Sequence, residues 1–236
     1  EMSASLVGSE MCIRDRYMGD AIFKVPTPVM LDKIVTAMDE IYEKMEQLRS
    51  EDVRGDVYEH LLLKLKTAGT NGQFRTPRHI IRMMVELMRP TLDDTICDPA
   101  MGSAGFIMEA AKYITEHQSD ELLNIEEKER FRKEIFHGSD SDASMLRIGC
   151  MNMMLHDVDE PNLYYRNSLS DENDDTNRYT LCLANPPFAG SLDTDDIAHT
   201  LKAAVKTKKT ELLFLALMMR MLQSGGPVSY THLRAH

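Results

Sequence analysis

The stretch Thr95-Ile96-Cys97-Asp98-Pro99-Ala100-Met101-Gly102-Ser103-Ala104-Gly105-Phe106 decides the fold. Thr95-Ile96-Cys97 is short, β-branched and apolar, and reads as a strand. Pro99 ends it, because proline cannot donate to a ladder. Small residues then form a turn, and an apolar pattern at three- and four-residue spacing predicts a helix from about Gly105 to His117. In an open α/β sheet, ligands sit at this carboxyl end of a strand. Small residues let the backbone approach a ligand, and the helix start offers free N–H groups. The turn is not GxGxxG, so a dinucleotide reading is weak, and no Gly-Lys-Ser/Thr of a P-loop follows. An acid at the strand end suits a cationic or hydroxyl-bearing ligand better than a phosphate. Taken alone, a structural turn explains the stretch nearly as well as a binding site.

Downstream, strands and helices alternate. An acidic helical segment is expected over Asp120–Lys133, a strand over Glu134–His137 and a helix over Ala143–Leu155. Asn162–Tyr165 and Tyr179–Ala184 read as further strands, and Glu211–Leu222 as an apolar helix ended by Gly225-Gly226. This alternation predicts a parallel sheet covered on both faces. Upstream the pattern is helical. Leu31, Ile34, Val35, Met38, Ile41, Tyr42, Met45 and Leu48 line one face after the Pro26-Thr27-Pro28 breaker, and Val53, Val57, Tyr58, Leu61, Leu62 and Leu65 line another. A glycine-bearing loop at Ala68–Gly72 follows. Thr76-Pro77 then starts a helix, with Thr76 as N-cap and Pro77 at the first helical position, that runs to about Arg89 before Pro90.

The 236 residues are 43% hydrophobic and 28% charged, a globular profile without a run long enough to span a membrane. The net charge of −11 is unlike that of a protein that grips nucleic acid unaided. Its four cysteines are scattered, which excludes a zinc ribbon and fits a reducing cytoplasm. Eighteen methionines fall mostly at helical core spacing, where they act as adaptable filler.

Two further motifs carry chemistry. Gly138-Ser139-Asp140 follows the second strand, where a carboxylate can accept from the two hydroxyls of a ribose. The competing reading is a cap for the helix near Ala143, for which Asp142 is the better placed acid. Asn185-Pro186-Pro187-Phe188 follows the strand that ends at Ala184 and is the most specific signal. Its prolines fix the backbone and remove two donors, so the turn presents acceptors. The Asn185 oxygen and the Pro186 carbonyl can each accept from one –NH₂ group, which aims the nitrogen lone pair at an electrophile. Phe188 can stack on a base. The alternative is a tight loop with a buried phenylalanine.

The order Gly72-Gln73-Phe74-Arg75-Thr76-Pro77, then DPAMGSAGF, then NPPF resembles the N6-adenine DNA methyltransferases, and more closely the modification subunit of type I restriction–modification systems. The resemblance runs from about Tyr17 to Gly226. It implies a Rossmann-like α/β methyltransferase sheet that uses S-adenosylmethionine and no metal. It also implies a flipped-out adenine in double-stranded DNA as substrate, a specificity subunit and a restriction subunit as partners, and a prokaryotic cytoplasmic location. By position, Gln73, Phe74, Arg75, Thr76 and Pro77 match the motif that holds the methionine end of the cofactor. Asp98, Ser103, Ala104 and Gly105 match the cofactor loop, and Asp140 the ribose-binding acid. Asn167 stands where the family often has an acid near the cofactor's adenine. Ala104 replaces a frequent glycine, a change expected to be tolerated. Asn185, Pro186, Pro187 and Phe188 match the catalytic tetrapeptide.

Ser5–Arg16 and Val228–His236 continue no neighbouring periodicity and resemble translated sequencing-adapter read-through; the alternative is ordinary ragged termini. The expected organisation is therefore a tail at 1–16, a helical segment at 17–70, an incomplete methyltransferase domain at 71–226 and a second tail at 227–236. The family continues after Gly225-Gly226 with an apolar strand, so the sheet is expected to end on an unpaired edge. Lys202, Lys206, Lys208 and Lys209 form a basic cluster suited to DNA, or simply a solvated helix start. Three other readings remain at this level. One is an amino-group methyltransferase acting on RNA or protein glutamine, another a non-catalytic cofactor-binding subunit, and the third a fragment that folds poorly.

Overall fold

A computed structural model describes residues 27–48, 76–187 and 194–231. The expected helix over 53–65, the loop at 68–72, Gln73, Phe74, Arg75, Phe188 and the tail at 5–16 lie outside the described residues. The chain divides into two compact units, Glu1–Gln73 and Phe74–His236. In the first, helix α1 spans Pro28–Leu48. Thr27 starts it, with its hydroxyl oxygen accepting from Met30 N at 3.2 Å.

The second unit is built on a parallel sheet. Helix α2 (Arg78–Met88) leads into β1 (Ile96–Asp98), α3 (Gly105–His117), a short 3₁₀ turn and α4 (Ile125–Lys133). Then come β2 (Phe136–Asp140), α5 (Ala143–Met154), β3 (Asn162–Tyr165) and β4 (Leu181–Ala184). Helices α6 (His199–Ala204) and α7 (Thr210–Met221) precede β5 (Val228–Tyr230). The strand order is β3-β2-β1-β4-β5, and every pairing is parallel. The chain thus builds outward from β1 to β3, then crosses back to place β4 on the other side of β1. That reversal creates a switch point between the carboxyl ends of β1 and β4.

Both faces are covered, as expected. Phe106, Ile107, Ala110, Ala111 and Ile114 of α3 are buried. Cys97, Cys182 and Ala184 share one core with Leu213, Phe214, Leu217 and Met221 of α7 and Leu201 of α6. Met84, Met101, Met108, Met153, Met218 and Met221 are core residues, whereas Met30, Met38, Met83 and Met219 are exposed. Among the described residues the three cysteines are free and buried, and no helix is long and apolar enough to cross a membrane.

Several boundaries differ from the sequence reading, among them the strand expected from Tyr179, which starts at Leu181, and the helix expected from Asp120, which starts at Ile125; three differences have a clear physical reason. Pro77, not Thr76, caps α2, with no side-chain cap bond; its carbonyl accepts from Ile80 N and Ile81 N. Strand β2 starts later than Glu134 and runs on to Asp140. Its last residues are small and polar, which suggests a turn, yet they pair with β3. Gly138 is glycine because a Cβ there would stand 2.5 Å from Met101 Sδ and 2.9 Å from Ile107 Cδ1. The third difference is in the C-terminal tail. Val228–Tyr230 pairs in register with Cys182–Ala184, so the sheet gains a strand where an open edge on β4 was expected. Three residues are too few to show a period, and the neighbouring strand supplies the pairing.

Candidate functional site

The switch point collects most of the residues singled out in the sequence. Asp98 ends β1 with 1% of its surface exposed, and its Oδ1 accepts from Ala100 N at 2.9 Å. Burial pushes its carboxyl up to about 8, against the Ala100 hydrogen bond, and the Asp140 charge adds to the rise. The turn that follows is left-handed at two places, Gly102 (φ +52°) and Ala104 (φ +62°). Nothing lies within 4 Å of the place a Gly102 Cβ would take, so the backbone there opens onto free space. Ala104 is fully buried; a left-handed alanine costs about 1–2 kcal/mol, which a glycine would avoid. Ser103 is buried and Gly105 begins α3, packed under Ile81 of α2.

Asp140, half-buried at the end of β2, reaches across to this turn. Its Oδ2 accepts from Gly102 N at 2.9 Å and its Oδ1 from Asp142 N at 2.8 Å. Burial raises its pKa, and those two N–H bonds act against the rise. Asp142 is the helix cap, as its position suggests, accepting from Ser144 N and Met145 N. Beyond β3, Asn167 uses its Oδ1 to accept from Leu169 N at 3.1 Å, and its own N–H donates to Glu172 Oε2 at 3.3 Å. The neighbouring Ser168 is buried, and its hydroxyl donates to the Pro99 carbonyl at 2.6 Å.

Asn185, Pro186 and Pro187 follow β4, beside the end of β1. Pro186 is buried and Pro187 exposed. The Asn185 Oδ1 accepts from the Thr231 hydroxyl at 2.5 Å, while Thr231 N donates to Ala184 O at 3.1 Å. Around the turn after Asp98, separate hydrogen bonds therefore tie Gly102 to Asp140 and Pro99 to Ser168, and Asn185 stands on the adjacent strand end. Thr76 and Pro77 lie just before α2, whose Ile81 touches the start of α3. The four lysines at 202, 206, 208 and 209 are exposed on α6 and the connection to α7.

Residues the sequence reading did not single out also shape the site. Ser168 and Asn152 each donate from a side chain to a carbonyl of the 98–105 turn. A groove of about 770 Å³ lined by Arg82, Arg89, Glu109 and Tyr113 lies elsewhere and holds none of the motif residues.

The family model for N-6 DNA methylases matches residues 49–230. The methylase subunit of the type I restriction enzyme EcoEI from Escherichia coli is 29% identical over 214 residues, 88% of this chain and 41% of that protein. The EcoKI methylase subunit of Escherichia coli K12 is 28% identical over 227 residues, 90% of this chain and 42% of that protein. The crystal structure of the EcoKI M protein superposes with a TM-score of 0.59 at 26% identity, covering 69% of this chain and 34% of that one. A chain from a type I restriction–modification system gives 0.60 at 31% identity, covering 72% and 35%. The chain spans about two fifths of the length of the curated relatives it matches. With its match to the family model running from residue 49 to 230, and the parallel sheet beneath its motifs, the chain belongs to the N-6 DNA methylase family.

Proposed function

We propose that this chain is the catalytic part of a type I modification subunit, which methylates N6 of a flipped-out adenine in double-stranded DNA with S-adenosylmethionine as methyl donor. The observation that carries this reading is the pairing of two turns at one switch point. The acid-led turn after β1 binds the cofactor, and the Asn185-Pro186-Pro187 turn after β4 holds the base. The donor set fits the cofactor. Asp98 offers a buried carboxylate to a cationic or hydrogen-donating group, Gly102 leaves room for close approach, and Asp140 offers acceptors to a ribose.

The sulfonium of the bound cofactor supplies the reactive methyl group. The chain's own work is positioning and polarisation. Asn185 Oδ1 and the Pro186 carbonyl accept from the N6 amino group and aim its lone pair, and Phe188 stacks on the extruded base. Thr76 and Pro77, with Gln73, Phe74 and Arg75, hold the methionine end, while Ser103, Ala104 and Gly105 line the cofactor loop and Asn167 lies toward the adenine. The exposed lysines Lys202, Lys206, Lys208 and Lys209 meet DNA phosphates. A specificity subunit reads the sequence and a restriction subunit completes the system, in a prokaryotic cytoplasm. On this reading the helical segment at 17–70 precedes a methyltransferase domain that starts near residue 71.

Calorimetry of S-adenosylmethionine against this chain and an Asp140→Ala variant tests the assignment. Micromolar binding by the parent is expected, weakened tenfold or more in the variant. A folded parent that does not bind would sink it.

A pH dependence follows from Asp98. Ligand-free, its carboxyl keeps its proton up to about pH 8 because it is buried. A cationic ligand pairs with the ionised carboxylate far better than with the neutral acid, so binding releases a proton below that pH. Affinity should therefore rise by about tenfold or more from pH 6 to pH 8 and level off above it. Asp98→Asn, which keeps the Ala100 hydrogen bond, should bind more weakly and lose this slope. Calorimetric titrations at four pH values would reveal it, and parallel slopes for both chains would refute it.

A further inference from the structure

Asn152 is fully buried in α5. Its Nδ2 donates to the Ser103 carbonyl at 2.9 Å, and no donor among the described residues reaches its Oδ1. The amide's orientation follows from its partner, since a backbone carbonyl only accepts. A buried amide oxygen without a donor lowers stability. Leucine, of similar volume, would fill the same space without an orphaned polar atom. Packing alone therefore argues against asparagine here, and the bond to Ser103 is what it gains.

The helix around Asn152 is shaped for that bond. Gly149 lies three residues earlier, on the same side of α5. A Cβ on Gly149 would stand 2.6 Å from Met101 Cε and 3.2 Å from the Gly102 carbonyl. Glycine thus lets α5 press against the turn, and Asn152 then reaches its far end. The near end is held at Pro99 by Ser168, and the middle by Met101 N on Ser139 O and Gly102 N on Asp140. The backbone is left-handed at Gly102, between the two side-chain anchors, and again at Ala104, directly after the second. Such a conformation persists only where its surroundings over-determine it.

We infer that Asn152 is a positioning residue for the turn over Asp98–Gly105: by fixing the Ser103 carbonyl it sets the direction in which the Gly102–Ser103 backbone faces the methyl donor. This rests on the function proposed above. It assigns a role in cofactor affinity to a buried residue that touches neither cofactor nor base.

The test uses Asn152→Leu and Asn152→Ala in this chain, with three measurements: the melting temperature, hydrogen exchange of the 100–105 amides, and calorimetric affinity for S-adenosylmethionine. Asn152→Leu is expected to melt no lower than the parent. Its turn amides should exchange tenfold faster or more, and its affinity should fall about tenfold. Asn152→Ala should show the same two losses with a lower melting temperature. Exchange and affinity within twofold of the parent in Asn152→Leu would overturn the inference. So would a loss of binding that merely tracks the unfolded fraction, because Asn152 would then be a packing residue. Faster exchange in the variant, beside a parent that does not bind, would overturn the proposed function and with it any role in cofactor affinity.

Discussion

Asp175→Ala is expected to cost the folded chain about 3–5 kcal/mol and to lower its melting temperature by about 10 °C. Only 4% of the Asp175 side chain is exposed, and its carboxylate accepts from two guanidinium groups and a phenol. Arg166 Nη2 and the Tyr179 hydroxyl meet Oδ2, the latter at 2.9 Å, and Arg178 Nη1 meets Oδ1 at 2.6 Å. Burial alone would raise the Asp175 pKa, but the hydrogen bonds from Arg166, Arg178 and Tyr179 outweigh it and hold the group below its ordinary value. Removing the carboxylate leaves the Arg166 guanidinium, 11% exposed, without its counter-charge. Arg178 is 41% exposed and water can solvate it, so its share of the loss is small.

The position of Asp175 explains the size of the effect. The chain returns from β3 to β4 past β2 and β1, and no helix is described in that connection. Its polar groups are satisfied by side chains together with turn and neighbouring-segment backbone. Asn173 donates to Ser168 O and accepts from Asp175 N, and Arg166 ties back to Ser139 of β2. The sign with pH follows from the depressed pKa: the stabilisation is complete above the unfolded carboxylate value near 4 and disappears as pH falls through the lower folded value. Thermal melts of parent and variant should therefore differ most at neutral pH and converge in strong acid. A difference under about 1 kcal/mol at pH 7, the range of an exposed pair, would show the network to be dispensable.

What could be read from the sequence was local. The Gly105–His117 helix and the Asn162–Tyr165 strand fall where periodicity places them, because each element's own apolar pattern determines it. The acid-led turn and Asn185-Pro186-Pro187 were visible for a related reason: proline restricts the backbone and glycine frees it wherever they occur. Contacts between distant segments were not visible. Ser139 and Asp140 look like turn residues and become strand only because β3 pairs with them. Val228–Tyr230 becomes strand only beside β4. Asn152 sits in a run of methionines, and its partner Ser103 is 49 residues away. Its polarity inside the otherwise apolar run Ile148–Met154, one turn after Gly149, was the signal available. The Asp175 hub sits in the acidic run Asp171-Glu172-Asn173-Asp174-Asp175, whose composition alone predicts a solvated loop, and its burial against Arg166, Arg178 and Tyr179 reverses that meaning.

Asn185→Ala is expected to reduce methyl transfer by about 10²–10³-fold while leaving affinity for S-adenosylmethionine within about twofold. As the N6 nitrogen attacks, positive charge develops on it, and its two hydrogens bind acceptors more strongly than in the ground state. An acceptor held in place beforehand stabilises that change with little reorganisation. Asn185 is suited to this. It follows β4 directly, Pro186 fixes the backbone after it, and its Oδ1 already accepts a hydrogen bond, from Thr231. Asp98 and Asp140, the acids assigned to the cofactor, belong to other strands, so removing the Asn185 amide leaves their hydrogen bonds intact. Asn185→Gln makes the sharper control. It keeps the amide but shifts it by one methylene, and misplacement of about 1 Å is enough to lose roughly two orders of magnitude. Single-turnover transfer to unmethylated duplex DNA, with a specificity subunit present, gives the rate, and calorimetry gives the affinity. Loss of rate and affinity together would move Asn185 from the base to the cofactor. Unchanged transfer in both variants would remove it from the reaction altogether.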